Sequence, residues 1–141
     1  MMNTNSTTEY QWSVKLVGDQ FFHVGIATKL KRCSEHIHKY DSNAIFYSSV
    51  GRVWDGQKNI FDPTHYQQES GDVISFKFHP KSKKLDVQLT TSAQSVTLDK
   101  FHWSISVTVK DNINYFPFAQ LHGVHAREAI LINPLFKNKK I

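Results

Sequence analysis

Cysteine is almost missing from this chain: Cys33 is the single one among 141 residues. A lone thiol makes no internal disulfide, which excludes a stapled secreted scaffold and points to a reducing compartment, cytoplasm or nucleus. Long apolar runs are missing as well. No stretch approaches the ~18 apolar residues of a membrane helix, and the opening MMNTNSTT lacks the apolar core and cleavage pattern of a secretory leader. No membrane insertion is expected. There is no C-x-x-C, G-x-S-x-G, H-E-x-x-H or phosphate-cradling glycine loop, so the usual local signatures of zinc centres, acyl transfer, metalloproteolysis and nucleotide binding are absent. No segment carries helical periodicity over a useful length.

What is present is period-two alternation. From Gly71 to Leu89, Ile74, Phe76 and Phe78 alternate with Ser75, Lys77 and His79; Pro80 and three lysines then intervene, and Leu85, Val87 and Leu89 resume opposite Asp86 and Gln88. This reads as an antiparallel hairpin with one wet face. A hairpin alone is marginal in water, so its phenylalanine face requires a second layer. Upstream, Tyr10, Trp12, Val14 and Leu16 alternate up to a Gly18-Asp19 turn, and Phe21 to Thr28 is nearly all apolar, as in a central strand covered on both faces. These two are expected to form a second hairpin, with Gly25 marking close approach of another backbone. Lys29 to Asn43 reads as a long loop with a helical turn begun at Ser34. Ala44–Ser49 and Gly51–Asn59 read as a ribbon closed by the Asp55-Gly56 turn, and Ile60 to Ser70 as a loop. Val96 and Leu98 mark a brief strand, and Phe101 to Val109 alternates again. Pro117 pushes Tyr115–Leu121 toward an edge or a bulge, and Ala129–Ile132 is a last strand ended by Asn133-Pro134. Short strands with turn signals at this spacing predict an all-β sandwich or barrel.

The length fits one domain and hides roughly two-thirds of the unfolded surface. The sequence predicts a disordered lead over residues 1–9, a sandwich over 10–134 and a basic tail over 135–141. The formal charge of +5 gathers at Lys29, Lys31 and Arg32, at Lys81, Lys83 and Lys84, and in the tail. These are strand ends and a terminus, so solvated loop ends explain them without a nucleic-acid partner. Lys77 lies between Phe76 and Phe78 but on the opposite face, whereas a base-stacking platform needs aromatics and cations together.

Four ordered motifs resemble SPRY (B30.2-like) domains. Trp12-Ser13-Val14 followed by Val24-Gly25-Ile26-Ala27 is similar to the family's opening hairpin, and Ala44 to Gly56 to its next ribbon. Gly71-Asp72-Val73-Ile74 is similar to its G-D-V-I strand start, and Tyr115-Phe116-Pro117 to its late aromatic-Pro strand. The chain departs from the family after Leu85, where TTSAQS and a further strand around Trp103 replace an N-G turn. The resemblance implies a bent sandwich of two antiparallel sheets, concanavalin-like and SPRY-like. It also implies a protein-interaction module, an adaptor or a subunit of a larger complex, that holds a peptide or protein surface in loops at one end, with no catalysis and no cofactor.

The residues themselves offer one candidate surface. Arg32, His36 and Tyr40 from the first long loop, Trp54 at the ribbon's end, and His65 and Tyr66 from the next loop combine aromatic area with polar donors, the mix enriched in interface hot spots. The alternative is a carbohydrate-binding, lectin-like site at Trp54 with Arg52 and Asp55. A metal is not expected: His36 with His38 and His122 with His125 are pairs without a third ligand, and zinc takes three or four. Cys33 reads as an ordinary thiol, since nothing places a base and an orienting group beside it.

Overall fold

The computed structural model describes residues 2–16, 21–29, 37, 40–48, 52–61, 71–90, 103–122 and 129–138. In chain order the strands are β1 (Thr8–Leu16), β2 (Phe21–Ala27), β3 (Ile45–Ser48), β4 (Arg52–Asp55), β5 (Lys58–Phe61), β6 (Val73–His79), β7 (Lys84–Thr90), β8 (Trp103–Thr108), β9 (Phe116–His122) and β10 (Ala129–Asn138). They form two five-stranded sheets, ordered β10-β1-β6-β7-β8 and β5-β4-β3-β2-β9, with every pairing antiparallel. The expected all-β fold of two antiparallel sheets is what the chain adopts.

One core lies between the sheets. Trp12, Val14, Leu16, Ile74, Phe76, Phe78, Leu85, Val87 and Leu89 enter it from the first sheet, and Phe22, Val24, Ile26, Ile45, Tyr47 and Val53 from the second. The hairpin over Gly71–Leu89 is as the alternation predicts: β6 and β7 pair from Val73↔Thr90 to His79↔Lys84, and Ile74, Phe76 and Phe78 are buried. Trp12 stacks on Phe76 with ring centroids 5.2 Å apart. Aromatic rings also bridge the layers: Trp103 of β8 packs 5.5 Å from Tyr47 and 5.1 Å from Phe61.

Several expectations are corrected. β1 and β2 make no hairpin with each other; β1 pairs with β10 and β6, β2 with β3 and β9. Both strands carry the right alternation, but they present it to one core from opposite layers, which period two alone cannot distinguish. The lead is not disordered over its described part. Met2 is buried and exchanges two backbone hydrogen bonds with Tyr115, of 2.8 and 2.7 Å, while Asn3 and Asn5 donate to Asn114 and Asn112. Ile60 and Phe61, read as loop, complete β5. β10 does not stop at Asn133-Pro134 but runs to Asn138. The register moves from Ser13↔Ile132 to Gln11↔Leu135, one extra residue on β10, so a bulge absorbs the proline on an edge strand. Pro117 has the same licence: β9 is the outermost strand of its sheet. The expected strand at Val96 and Leu98 and the turn at Ser34 lie outside the described residues.

Candidate functional site

The two sheets turn different outer faces away from the core. On the first sheet the outer face is charged: His79 stands between two carboxylates, with Nδ1 3.2 Å from Glu9 and Nε2 2.7 Å from Asp86, and Lys77 lies 3.4 Å from Glu9. Phe76 and Phe78 point the other way into the core, so among the described residues this face has cations without the aromatics that stacking of bases requires.

On the second sheet the outer face is aromatic. The register aligns Phe118, Gly25, Phe46, Trp54 and Asn59 in a row across β9, β2, β3, β4 and β5. A Cβ on Gly25 would meet the carbonyl oxygen of Ile45 and come within 2.7 Å of Phe46 Cα, so the position is closed to any side chain. Across that bare backbone Phe46 and Phe118 meet edge to face at 6.3 Å, and Trp54 lies parallel to Phe46 at 6.4 Å and 9°. Flanking glycine with rings on neighbouring strands restores the packing that glycine omits. A second row, Gln120, His23, Ser48 and Arg52, runs beside it. His23 is buried with its ring edge-on to Phe46 at 4.9 Å, and Arg52 is exposed.

After β2, Ile37 and Tyr40 return to this face. Ile37 is buried there with Ala27, Ala44 and Phe46, and Tyr40, Trp54, Phe116 and Phe118 pack around them, each partly buried. Two anchors hold the described residues there. The Ile37 N–H donates to Gln120 Oε1 at 3.1 Å. The fully buried Asp41 carboxylate accepts from the Thr28 N–H at 2.6 Å, the Thr28 hydroxyl at 2.7 Å, and the N–H groups of Lys29 and Asn43 at 3.1 Å each. Charge-assisted bonds of this kind fix a loop more firmly than neutral ones. Beside Trp54, burial pushes the Asp55 carboxyl above its usual range, and Lys110 and Lys58 draw it back down in part.

Of the residues singled out from the sequence, Tyr40 and Trp54 are brought onto this one cluster from separate elements. Tyr40 is partly buried against the cluster. Arg32, His36, His65 and Tyr66 lie outside the described residues, as do Cys33, His38 and His125. Phe46, Phe116 and Phe118 went unremarked as site residues. Their signal was available in YFPFAQL, where alternation puts Phe116 and Phe118 on the face opposite Pro117. Among the described residues no three His, Cys, Asp or Glu side chains gather as a metal site, and no helix is long and apolar enough to cross a membrane.

The described strands thus define the class, a two-sheet antiparallel sandwich. No family model matches the chain, and no curated protein is significantly similar to it. Among solved structures, the crystal structure of the SPRY domain of human HERC1 is similar, with a TM-score of 0.45, 13% identity, and coverage of 86% of this chain and 81% of that chain.

Proposed function

We propose that this chain is a non-catalytic protein-interaction module of SPRY-like type, an intracellular adaptor or assembly subunit, that holds a peptide or protein surface at the cluster where Tyr40 and Trp54 pack. The observation that carries this reading is their convergence: two aromatics from different elements share one partly exposed cluster, with the exposed Arg52 two residues from Trp54 along β4. Tyr, Trp and Arg together are the side chains that anchor interfaces. Among the described residues, the outer face of the opposite sheet carries the ion pairs of Glu9, Lys77, His79 and Asp86 instead of an aromatic cluster.

The test is affinity capture from cytosolic extract with wild-type protein, a Tyr40→Ala, Trp54→Ala double variant, and Arg52→Ala, whose side chain is exposed. The specific partners of the wild type are expected to fall away in the double variant and weaken in Arg52→Ala, with both variants melting cooperatively. Equal retention of all partners by both variants overturns the proposed surface. Binding on a glycan array that free sugar competes away replaces it with the carbohydrate reading at Trp54, Arg52 and Asp55.

A further inference from the structure

The four outermost strands of the two sheets are unequally defended against pairing with another chain. An edge strand offers a row of backbone donors and acceptors, and proteins blunt such rows with proline, bulges, short length or charge. β9 has Pro117, and β10 has the bulge at Asn133-Pro134. β5 is four residues long, begins with a lysine and is bulged against β4. β8 has none of these devices. Its six residues, WSISVT, hold no charge and no proline, and they pair with β7 in unbroken register from Trp103↔Leu89 to Thr108↔Lys84.

The register also says which groups face outward. The Val109 N–H donates to the Lys83 carbonyl, so in this ladder the odd-numbered residues aim their backbone groups at β7. Ser104, Ser106 and Thr108 therefore turn theirs away from β7, to the side where no described strand pairs with β8. On the core side of the strand Trp103, Val107 and Val109 are buried and Ile105 is partly so, with the partly buried Phe61 and Ile60 of β5 packed on the same core.

We infer that β8 is a self-pairing edge, and that its partner is a second copy of this chain joined antiparallel about a two-fold axis at Ser106. The sequence is complementary to itself in that register. Ser106 lies opposite Ser106 and Ser104 opposite Thr108, and these are the outward-facing residues, so each pair exchanges backbone hydrogen bonds. Ile105 then lies opposite Val107 and Trp103 opposite Val109, apolar against apolar on the core side. On the outer side hydroxyl meets hydroxyl, and no like charges oppose each other anywhere on the strand. A shift by one residue would set Ile105 against a serine and expose it. The contact is isologous and closes at two copies, joining two five-stranded sheets into one of ten.

The test uses the full chain in sedimentation equilibrium over a concentration series. The wild type is expected at twice the monomer mass, dissociating on dilution. Ser106→Lys leaves the monomer sound, because the lysine is placed beside Asp86, to which the Ser106 hydroxyl now donates. It sets two lysines opposite each other at the axis, so the dissociation constant should rise roughly fivefold at low salt and recover at high salt. Ser106→Pro removes an N–H that β7 does not use and should weaken association roughly tenfold or more. Circular dichroism melts confirm that both variants fold. A wild type that stays monomeric at the highest soluble concentration overturns the inference. So does a dimer indifferent to both substitutions, which would place the contact on another surface, and so does a larger assembly, which a closed two-fold edge does not permit.

Discussion

Tyr47 and Tyr115 are both fully buried, and their hydroxyls meet opposite fates. The Tyr115 hydroxyl accepts the Lys110 N–H at 3.0 Å, whereas that of Tyr47 has no partner among the described residues. Removing a buried hydroxyl that bonds nothing relieves its desolvation; removing one that accepts leaves a donor stranded, at about 1–3 kcal/mol. Tyr47→Phe is therefore expected to leave urea stability at pH 7 unchanged or raise it by up to about 1 kcal/mol, and Tyr115→Phe to lower it by about 1–2 kcal/mol. Equal losses in the two variants would show that the Tyr47 hydroxyl is satisfied. The sequence shows that Tyr47 belongs to a strand, since AIFYSS is apolar and bounded by turns. It does not show what stands at the far end of the ring, because alternation gives a direction and not a hydrogen-bond partner. Gly25 is the contrary case. A lone glycine in FFHVGIAT signals a close backbone, and the Ile45–Phe46 backbone is the one that comes close.

At the scale of elements, the end of β2 and the described residues 40–43 are joined less by a local pattern than by one residue. Asp41 gathers three backbone N–H groups and the Thr28 hydroxyl, and thereby fixes Tyr40 beside it. In Asp41→Asn the amide nitrogen faces N–H groups instead of accepting from them, so about 2–3 kcal/mol of stability is expected to be lost. Thr28→Val removes one bond and should cost about 1 kcal/mol. Because both act through one carboxylate, the double variant should cost less than the sum. Urea denaturation of the four proteins decides it, and strict additivity would mean that the clamp is not one unit. This clamp was illegible beforehand, for Lys29–Asn43 lacks periodicity and the clamp is a carboxylate bonded to residues twelve and thirteen positions away. The β6–β7 hairpin was legible because its order is local: strand, Pro80 turn, strand. The pairing of β1 with β10 joins the two ends of the chain, and no local pattern encodes that choice over a β1–β2 hairpin.

At the scale of the molecule, the same two phenols tie the layers together, and this sets how the fold answers alkali. Tyr47 of β3 packs on Trp103 of β8, and Tyr115, bridged to Met2, packs 6.2 Å from Phe78 of β6. Burial pushes both phenols up from their ordinary value of 10.0, with the Asp72 charge adding to the rise at Tyr47. At Tyr115 the Lys110 N–H opposes the rise, while Asp55 and Asp41 add to it. Since the folded values lie above the unfolded one, the stability they contribute is complete below pH 10 and is lost as the pH climbs, because the unfolded chain releases its protons first. Each phenol can remove up to about 1.4 kcal/mol per pH unit in that range. The acid side is less diagnostic. Protonating Asp55, whose carboxyl burial holds high, favours the fold, while protonating the exposed Asp111, held low by Thr4 and Lys83, opposes it. Thermal melts should thus be level from pH 7 to about 9 and fall from about pH 10 upward, and Tyr47→Phe should fall less steeply than wild type. Far-ultraviolet and aromatic circular dichroism should report one transition throughout, since a tyrosinate formed at either ring forces apart the single core that both sheets share. An unchanged slope in Tyr47→Phe, or aromatic signal lost before strand signal, would mean that the layers separate at alkaline pH without ionisation of the ring that joins them.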